Sequence, residues 1–391
     1  MRKASRKSRP TIKSSPDQEG TLHHRSAATS KSAATTKSAA TGKSAANRRT
    51  AIPRILIIYT GGTVGMVMDA ATGALKPIGF KEIRDNIPEI VKLGYEVEVH
   101  AFNPPMDSSN MHPDVWVELA GIIEKNYEAY DGFVILHGSD TMAFTASALS
   151  FLLENLSKPV ILTGSQLPIG EIRTDAKENI ITALEIAAAR KGGKALVPEV
   201  CIYFDYQLFR GNRSKKYNAE KFEAFYSMNY PPLAEAGITI KYQRQFILKH
   251  PEAGLKVHRR MDPSVGVLKV FPGITPATVE AVLGTPGIRA VILETFGSGN
   301  ATTVPWFLAA LRAAIKRGVL VIDITQCDGG AVELGRYETS IDLKEMGVVS
   351  GHDMTFEATL AKLMFLLAQK HSRVRLKELL ETSLRGELTI G

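Results

Sequence analysis

An α/β protein with two α/β domains is predicted for this 391-residue chain by three observations. Short β-branched runs recur after Pro53, each run leads into a Gly- or Ser-rich loop, and an amphipathic or Ala-rich stretch of helical period follows the loop. That alternation is the pattern of a mainly parallel sheet, whose strands are joined by helices lying on its faces. With 44% apolar and 23% charged residues, the chain is long enough to bury two cores.

The first element is a tail. From Ser26 the sequence repeats Ser-Ala-Ala-Thr, then a small residue and a lysine, starting again at Ser32, Ser38 and, shortened, at Ser44. Such a tract offers almost no large apolar side chain to offset the entropy of ordering it, so residues 1–50 are expected to be disordered. Strands are predicted over 54–59, 96–102, 132–137, 159–163 and 199–204, with helices over 141–154 and 175–190. Residues 244–260 are polar and poorly periodic, and a second alternation begins with strands at 265–270, 289–294 and 318–325. The expected division is a tail (1–50), an N-terminal α/β domain (51–243), a linker (244–263) and a C-terminal α/β domain (264–391).

Charge follows the same division. The formal net charge is +8, but residues 1–54 hold 13 Lys and Arg against Asp17 and Glu19 alone, leaving a body with 35 basic and 38 acidic residues. Basicity therefore belongs to the tail and says little about what the folded part does, and a nucleic-acid partner is not expected. No stretch approaches the roughly 20 apolar residues needed to cross a bilayer, and the N-terminus lacks the apolar centre of a secretory signal. A cytoplasmic protein without membrane contact is expected. Cys201 and Cys327 lie far apart, with no Cys or His partner at ligand spacing, so neither disulfide nor metal is expected.

In parallel sheets ligands sit beyond the carboxyl ends of the strands, so the loops there are the candidates for chemistry. Thr63 stands among Gly61, Gly62 and Gly65 after the first strand, where glycines let backbone N–H groups approach a ligand. A tight connection is the ordinary reading of such a turn. His137-Gly138-Ser139-Asp140-Thr141 ends the third strand and precedes a helix, so Ser139 or Asp140 reads as a helix N-cap or, equally, as part of a hydrolytic site. His137 is a tempting base, but a lone histidine ending a buried strand is more often a core residue. Asp107, Ser108 and Ser109 read as an Asx turn or as a grip for an ammonium and a carboxylate. Lys215 and Lys216 read as a solvated face, or as a buried base beside Asp140. Parity and pattern leave open which lysine points inward.

The order of these segments closely resembles the L-asparaginase family, most strongly its bacterial type I, over about residues 55–389. The motifs carrying the likeness are Tyr-Thr-Gly-Gly-Thr-Val-Gly (59–65), Met-Asp-Ser-Ser (106–109), Tyr-Asp-Gly-Phe-Val-Ile-Leu-His-Gly-Ser-Asp-Thr-Met-Ala (130–143), Leu-Thr-Gly-Ser-Gln-Leu-Pro (162–168), Arg-Gly-Asn-Arg (210–213) and Leu-Arg-Gly-Glu-Leu-Thr (384–389). The resemblance implies a larger flavodoxin- or Rossmann-like N-terminal domain and a smaller Rossmann-like C-terminal domain. It implies hydrolysis of L-asparagine to L-aspartate and ammonia without a cofactor or metal, in a homodimer or homotetramer. Thr63 would be the nucleophile that forms an acyl-enzyme, supported by Ser139, Asp140 and Lys216. Asp107, Ser108 and Ser109, with Ser139 and Asp140, would hold the substrate's α-amino and α-carboxylate groups.

Three positions depart from the family pattern. Many relatives carry a tyrosine shortly after the nucleophile loop, and residues 69–76 here contain none. Allosteric relatives hold a second asparagine through an arginine, a threonine and a cysteine. This chain keeps Cys327 but has Glu294 and Lys215 at the other two positions. A glutamate repels the effector's carboxylate, so no activation by asparagine is expected. Two other readings compete with the hydrolase. A transfer-RNA-dependent amidotransferase subunit shares this core but carries a β-rich N-terminal extension, for which residues 1–50 show no strand pattern. An amino-acid sensor built on an inactive fold is disfavoured by the joint presence of Thr63, Ser139, Asp140 and Lys216.

Overall fold

The computed structural model describes residues 52–68, 75–77, 81 and 85–390. The expected disorder of the tail thus concerns residues outside the described ones, as does most of the 69–76 segment. The described residues belong to one compact unit.

Eight strands build the larger sheet. In chain order they are β1 (Arg54–Gly61), β2 (Glu96–Met106), β3 (Gly132–Leu136), β4 (Val160–Thr163), β5 (Val200–Phe204), β6 (Gln207–Arg210), a short Ala234–Glu235 and a short Lys241–Tyr242. Reading across the sheet, β2, β1, β3, β4 and β5 run parallel, and the remaining three add antiparallel at one edge. Alternate residues of a strand face opposite sides of its sheet, and β1 divides accordingly. Ile55, Ile57 and Tyr59 join one core and Leu56 and Ile58 the other, all five buried. Burying each aliphatic side chain contributes about 1.5–3 kcal/mol, which explains why a run with so few polar residues becomes a central strand.

Helices cover both faces. α1 (Pro113–Asn126) and α2 (Met142–Leu152) pack on the side of Leu56 and Ile58, and α3 (Ala176–Ala188) packs on the other. The helix predicted over 141–154 is shorter than expected. Ser139–Thr141 form a 3-10 turn, α2 ends at Leu152, and Leu153–Glu154 leave the helix to pair antiparallel with Lys256–Val257. Asn155 then takes a left-handed φ of 61°. Residues of the predicted linker therefore hydrogen-bond to the N-terminal sheet's neighbourhood, and His258 Nε2 lies 2.6 Å from Glu154 Oε2.

The smaller sheet is wholly parallel. Its strands β7 (Val265–Lys269), β8 (Ala290–Thr295), β9 (Leu320–Thr325) and β10 (Val349–Ser350) lie side by side in chain order. One face packs on Pro276–Leu283 and Pro305–Lys316 through Val279, Phe307 and Leu311. The other joins the larger core through α4 (Phe356–Leu367), whose Phe356 and Phe365 meet Phe144 and Phe151 of α2 at ring-centroid distances of 5.9 and 5.8 Å. A mixed α/β protein with a large mainly parallel sheet and a separate smaller parallel sheet is the architecture the sequence predicts.

Candidate active site

Each candidate segment leaves its strand through a single 3-10 turn: Thr63–Gly65 after β1, Ser108–Asn110 after β2, Ser139–Thr141 after β3 and Gly211–Arg213 after β6. Because β2, β1 and β3 are neighbours, the first three turns meet at one sheet end. Glycine makes the meeting possible. Gly61 and Gly62 have φ of 129° and 93°, and a Cβ on them would come within 2.1 Å of Met106 O and 2.4 Å of Gly138 N. A Cβ on Gly138 would lie 2.4 Å from Ser108 Oγ. Any side chain at these positions would force the three loops apart.

Hydrogen bonds fix the cluster. Thr60 Oγ1 donates to Leu136 O at 3.0 Å, and Thr141 Oγ1 donates to Ser108 O at 2.8 Å, so the turns after β1 and β2 are both tied to β3. Asp107 Oδ1 accepts from Ser109 N and Ser109 Oγ at 2.8 and 2.9 Å. That is an Asx turn whose residues Asp107 and Ser109 nevertheless remain exposed, while Ser108 is buried. Thr63 sits half-buried at the start of its turn, its carbonyl accepting from Met66 N.

Neither Ser139 nor Asp140 caps α2. The residue at that N-cap is Thr141, with no side-chain cap hydrogen bond. Both side chains turn instead to Lys216, whose Nζ donates to Ser139 Oγ at 2.8 Å and to Asp140 Oδ1 at 2.7 Å. Lys216 belongs to a two-residue strand, Lys215–Lys216, paired antiparallel with Phe225–Tyr226. Alternation in that strand decides which lysine points inward. Lys216 reaches the β3 turn, and Lys215 reaches Asp328 at 2.6 Å on the side of the smaller sheet. Arg213, also in this segment, is buried and paired with Asp353 at 2.8 Å, so it is a structural tie rather than a solvated charge.

His137 is no base for a substrate. It is buried, and burial pushes its imidazole pKa down to about 4 despite the hydrogen bond to Gly138 O. Two neighbours of the site were missed from sequence. Gln166 Oε1 accepts from Ser139 Oγ at 3.3 Å, while its Nε2 donates to Lys221 O at 3.0 Å. Tyr59 OH donates to Gly65 O at 3.3 Å beneath the Thr63 turn. The signal for Gln166 was its place in the loop after β4, another strand carboxyl end; Tyr59 read only as an apolar strand residue.

Glu294, Lys215 and Cys327 do come together, along a cavity of about 460 Å³ at the carboxyl ends of β8 and β9. Glu294 Oε2 accepts from Lys269 Nζ at 3.0 Å, so this carboxylate already has a cation. Among the described residues, no group of three or more His, Cys, Asp or Glu is placed to hold a metal ion, and no helix is long and apolar enough to cross a membrane.

Comparison with known proteins gives matching results along both domains. The family model "Asparaginase, N-terminal" matches residues 54–248 and "Glutaminase/Asparaginase C-terminal domain" matches residues 264–380. L-asparaginase 1 of Escherichia coli K12 is 43% identical over 337 residues, 86% of this chain and 98% of that protein. The 60 kDa lysophospholipase of Homo sapiens is 42% identical over 366 residues, 86% of this chain and 61% of that protein. The crystal structure of L-asparaginase I from Vibrio cholerae superposes with a TM-score of 0.78 at 43% identity, covering 87% of this chain and all of that one.

Proposed function

We propose that this chain, which belongs to the asparaginase family, hydrolyses the side-chain amide of L-asparagine to L-aspartate and ammonia, in the cytoplasm and as a homo-oligomer. The catalytic work is assigned to residues 51–243, joined through a linker at 244–263 to a second domain at 264–391. One observation carries the reading: Lys216 Nζ bonds both Ser139 Oγ and Asp140 Oδ1, in a cluster whose glycines hold the Thr63 loop against the β3 turn.

An amide carbon is a poor electrophile and a hydroxyl a poor nucleophile, so a site for this reaction must supply a proton acceptor and an oxyanion hole together. In our reading Thr63 Oγ1 attacks the amide carbon and gives up its proton by way of Ser139, Asp140 and Lys216. Backbone N–H groups of the glycine-rich turns hold the resulting oxyanion. Collapse of the tetrahedral intermediate breaks the C–N bond, and the departing nitrogen takes a proton to leave as ammonia. Water then attacks the β-aspartyl ester on Thr63, the same set accepts its proton, and Thr63 is regenerated as aspartate leaves. Asp107, Ser108 and Ser109, with Ser139 and Asp140, are assigned to the substrate's α-amino and α-carboxylate groups.

Ammonia release from L-asparagine and L-glutamine, with substrate varied widely, tests this. The wild type is expected to hydrolyse asparagine along a hyperbolic velocity curve, and Thr63→Ala to lose at least about 10³-fold in kcat. Release from neither amide, or an active Thr63→Ala protein, would overturn the assignment. A sigmoidal curve that Cys327→Ala straightens would overturn the expected absence of asparagine activation.

A further inference from the structure

We propose that His137 is a positioning residue: a chain of hydrogen bonds beginning at the Trp116 indole holds it as the Nδ1–H tautomer, so that it grips the Gly138 carbonyl and aims the backbone of Ser139. This rests on reading Ser139 as part of the active site.

The chain has three links. Trp116 Nε1 lies 3.0 Å from Thr145 Oγ1, Thr145 Oγ1 lies 2.9 Å from His137 Nε2, and His137 Nδ1 lies 2.7 Å from Gly138 O. Each end admits one direction. A carbonyl oxygen only accepts, so Nδ1 must carry a hydrogen; an indole only donates, so Thr145 Oγ1 must accept from it. A neutral imidazole then presents Nε2 as an acceptor, and the single Thr145 hydroxyl hydrogen points to it. Trp116, Thr145 and His137 are all buried, which opposes the imidazolium that would break this order, and the lowered imidazole pKa agrees.

What the chain holds is the peptide between Gly138 and Ser139. A trans peptide is planar, with its C=O and N–H antiparallel. Fixing the Gly138 carbonyl on a buried ring therefore turns the Ser139 N–H away from that ring and sets where the Ser139 side chain begins. Gly138 holds this geometry at φ −64° and ψ 138°, at a position where a Cβ would strike Ser108 Oγ. The β3 turn is thus located from below by His137, from the side by Ser108 and Thr141, and from the far side by Lys216. The anchors lie on α1 and α2, so two helices outside the loops of the site contribute to its precision.

The test combines kinetics with ¹⁵N NMR of histidine-labelled protein, His137 being assigned among nine histidines by its loss in the His137→Asn variant. The wild type is expected to show protonated Nδ1 and unprotonated Nε2 throughout neutral pH. His137→Phe is expected to lose about 100-fold in kcat with KM within about threefold, as a small misplacement of reacting groups does. His137→Asn, which keeps an N–H donor near the Nδ1 position, is expected to recover most of the loss. Thr145→Val, which removes one link and leaves the ring, should fall in the same direction, with Nδ1 still protonated against the Gly138 carbonyl. An Nε2–H tautomer in the wild type, a fully active His137→Phe protein, or His137→Asn as impaired as His137→Phe would each overturn the proposal. Should His137→Phe fail to fold, Thr145→Val and the tautomer decide. A wild type that releases no ammonia would instead sink the proposed function and leave the tautomer measurement intact.

Discussion

Both sheets turn parallel strand ends toward the same two-residue strand, Lys215–Lys216, and they meet it with different chemistry. At the larger sheet the loops close backbone against backbone through Gly61, Gly62 and Gly138, and one lysine bonds both Ser139 Oγ and Asp140 Oδ1. At the smaller sheet the strand ends carry charges that pair with one another: Lys269 with Glu294 and, across the gap, Lys215 with Asp328. Shared architecture therefore does not assign function; the residues that let backbones approach, and leave polar groups converging without neutralising them all, do so. The adjacent lysines offer a way to test that difference.

The largest effect is expected at Lys216. Replacing it with methionine removes the amino group shared by Ser139 and Asp140 while keeping the stem of the side chain. Loss of a group engaged in proton transfer lowers rates by about 10²–10⁴-fold, so kcat for asparagine should fall by about 10³-fold, with KM changing far less. Steady-state kinetics of Lys216→Met check this. A variant within tenfold of the wild type would remove Lys216 from the chemistry and erase the contrast between the two sheet ends.

How much of this was legible before the structure differs by level. The strands around β1 and β3 could be read because five or more consecutive buried positions leave an apolar run that few other structures produce. The end of α2 could not, since Leu153 and Glu154 continue a helical pattern and only pairing with Lys256 and Val257, about a hundred positions later, pulls them out. Thr63, Ser139 and Asp140 stood out as hydroxyls and a carboxylate at strand ends. The choice of Lys216 over Lys215 is one of strand parity, and parity is invisible until the partner strand is known. The residues that hold Gly138 lie on different elements, and nothing in the sequence singles out Trp116 or Thr145.

A smaller effect, in stability, is expected from the core of the smaller sheet. Asp323 is buried on β9; its Oδ1 accepts from Thr295 Oγ1 at 2.8 Å and its Oδ2 has no hydrogen-bond partner. Burial outweighs that hydrogen bond and raises the carboxyl pKa to about 7. A carboxyl whose folded pKa lies above its unfolded value near 4 binds more protons when folded, so stability falls as pH rises from about 4 to about 7. The shift corresponds to an order of about 4 kcal/mol across that window. Asp323→Asn is neutral throughout, and its melting temperature is expected to drop less between pH 5 and pH 8 than that of the wild type. Equal drops would show that Asp323 ionises without penalty. At the larger sheet end Asp140 is instead exposed and paired with Lys216.

The smallest effect is expected one residue from the largest. Lys215 Nζ lies 2.6 Å from Asp328 Oδ1, but the two side chains are 46% and 57% exposed. Water screens such a pair, and exposed ion pairs contribute only about 0–1 kcal/mol. Lys215→Met therefore removes a charge of the same kind, on the same two-residue strand, from a place where it supports neither chemistry nor much stability. The variant is expected to keep kcat within about twofold of the wild type and to lose at most about 1 kcal/mol in denaturant unfolding. Because methionine preserves the stem of both lysines, the pair of variants separates charge from packing, and the comparison of Lys215→Met with Lys216→Met measures what facing one sheet end rather than the other is worth. A large loss of kcat in Lys215→Met would mean that the two ends are coupled through this strand, since Lys215 makes no bond to Ser139 or Asp140 that could account for it.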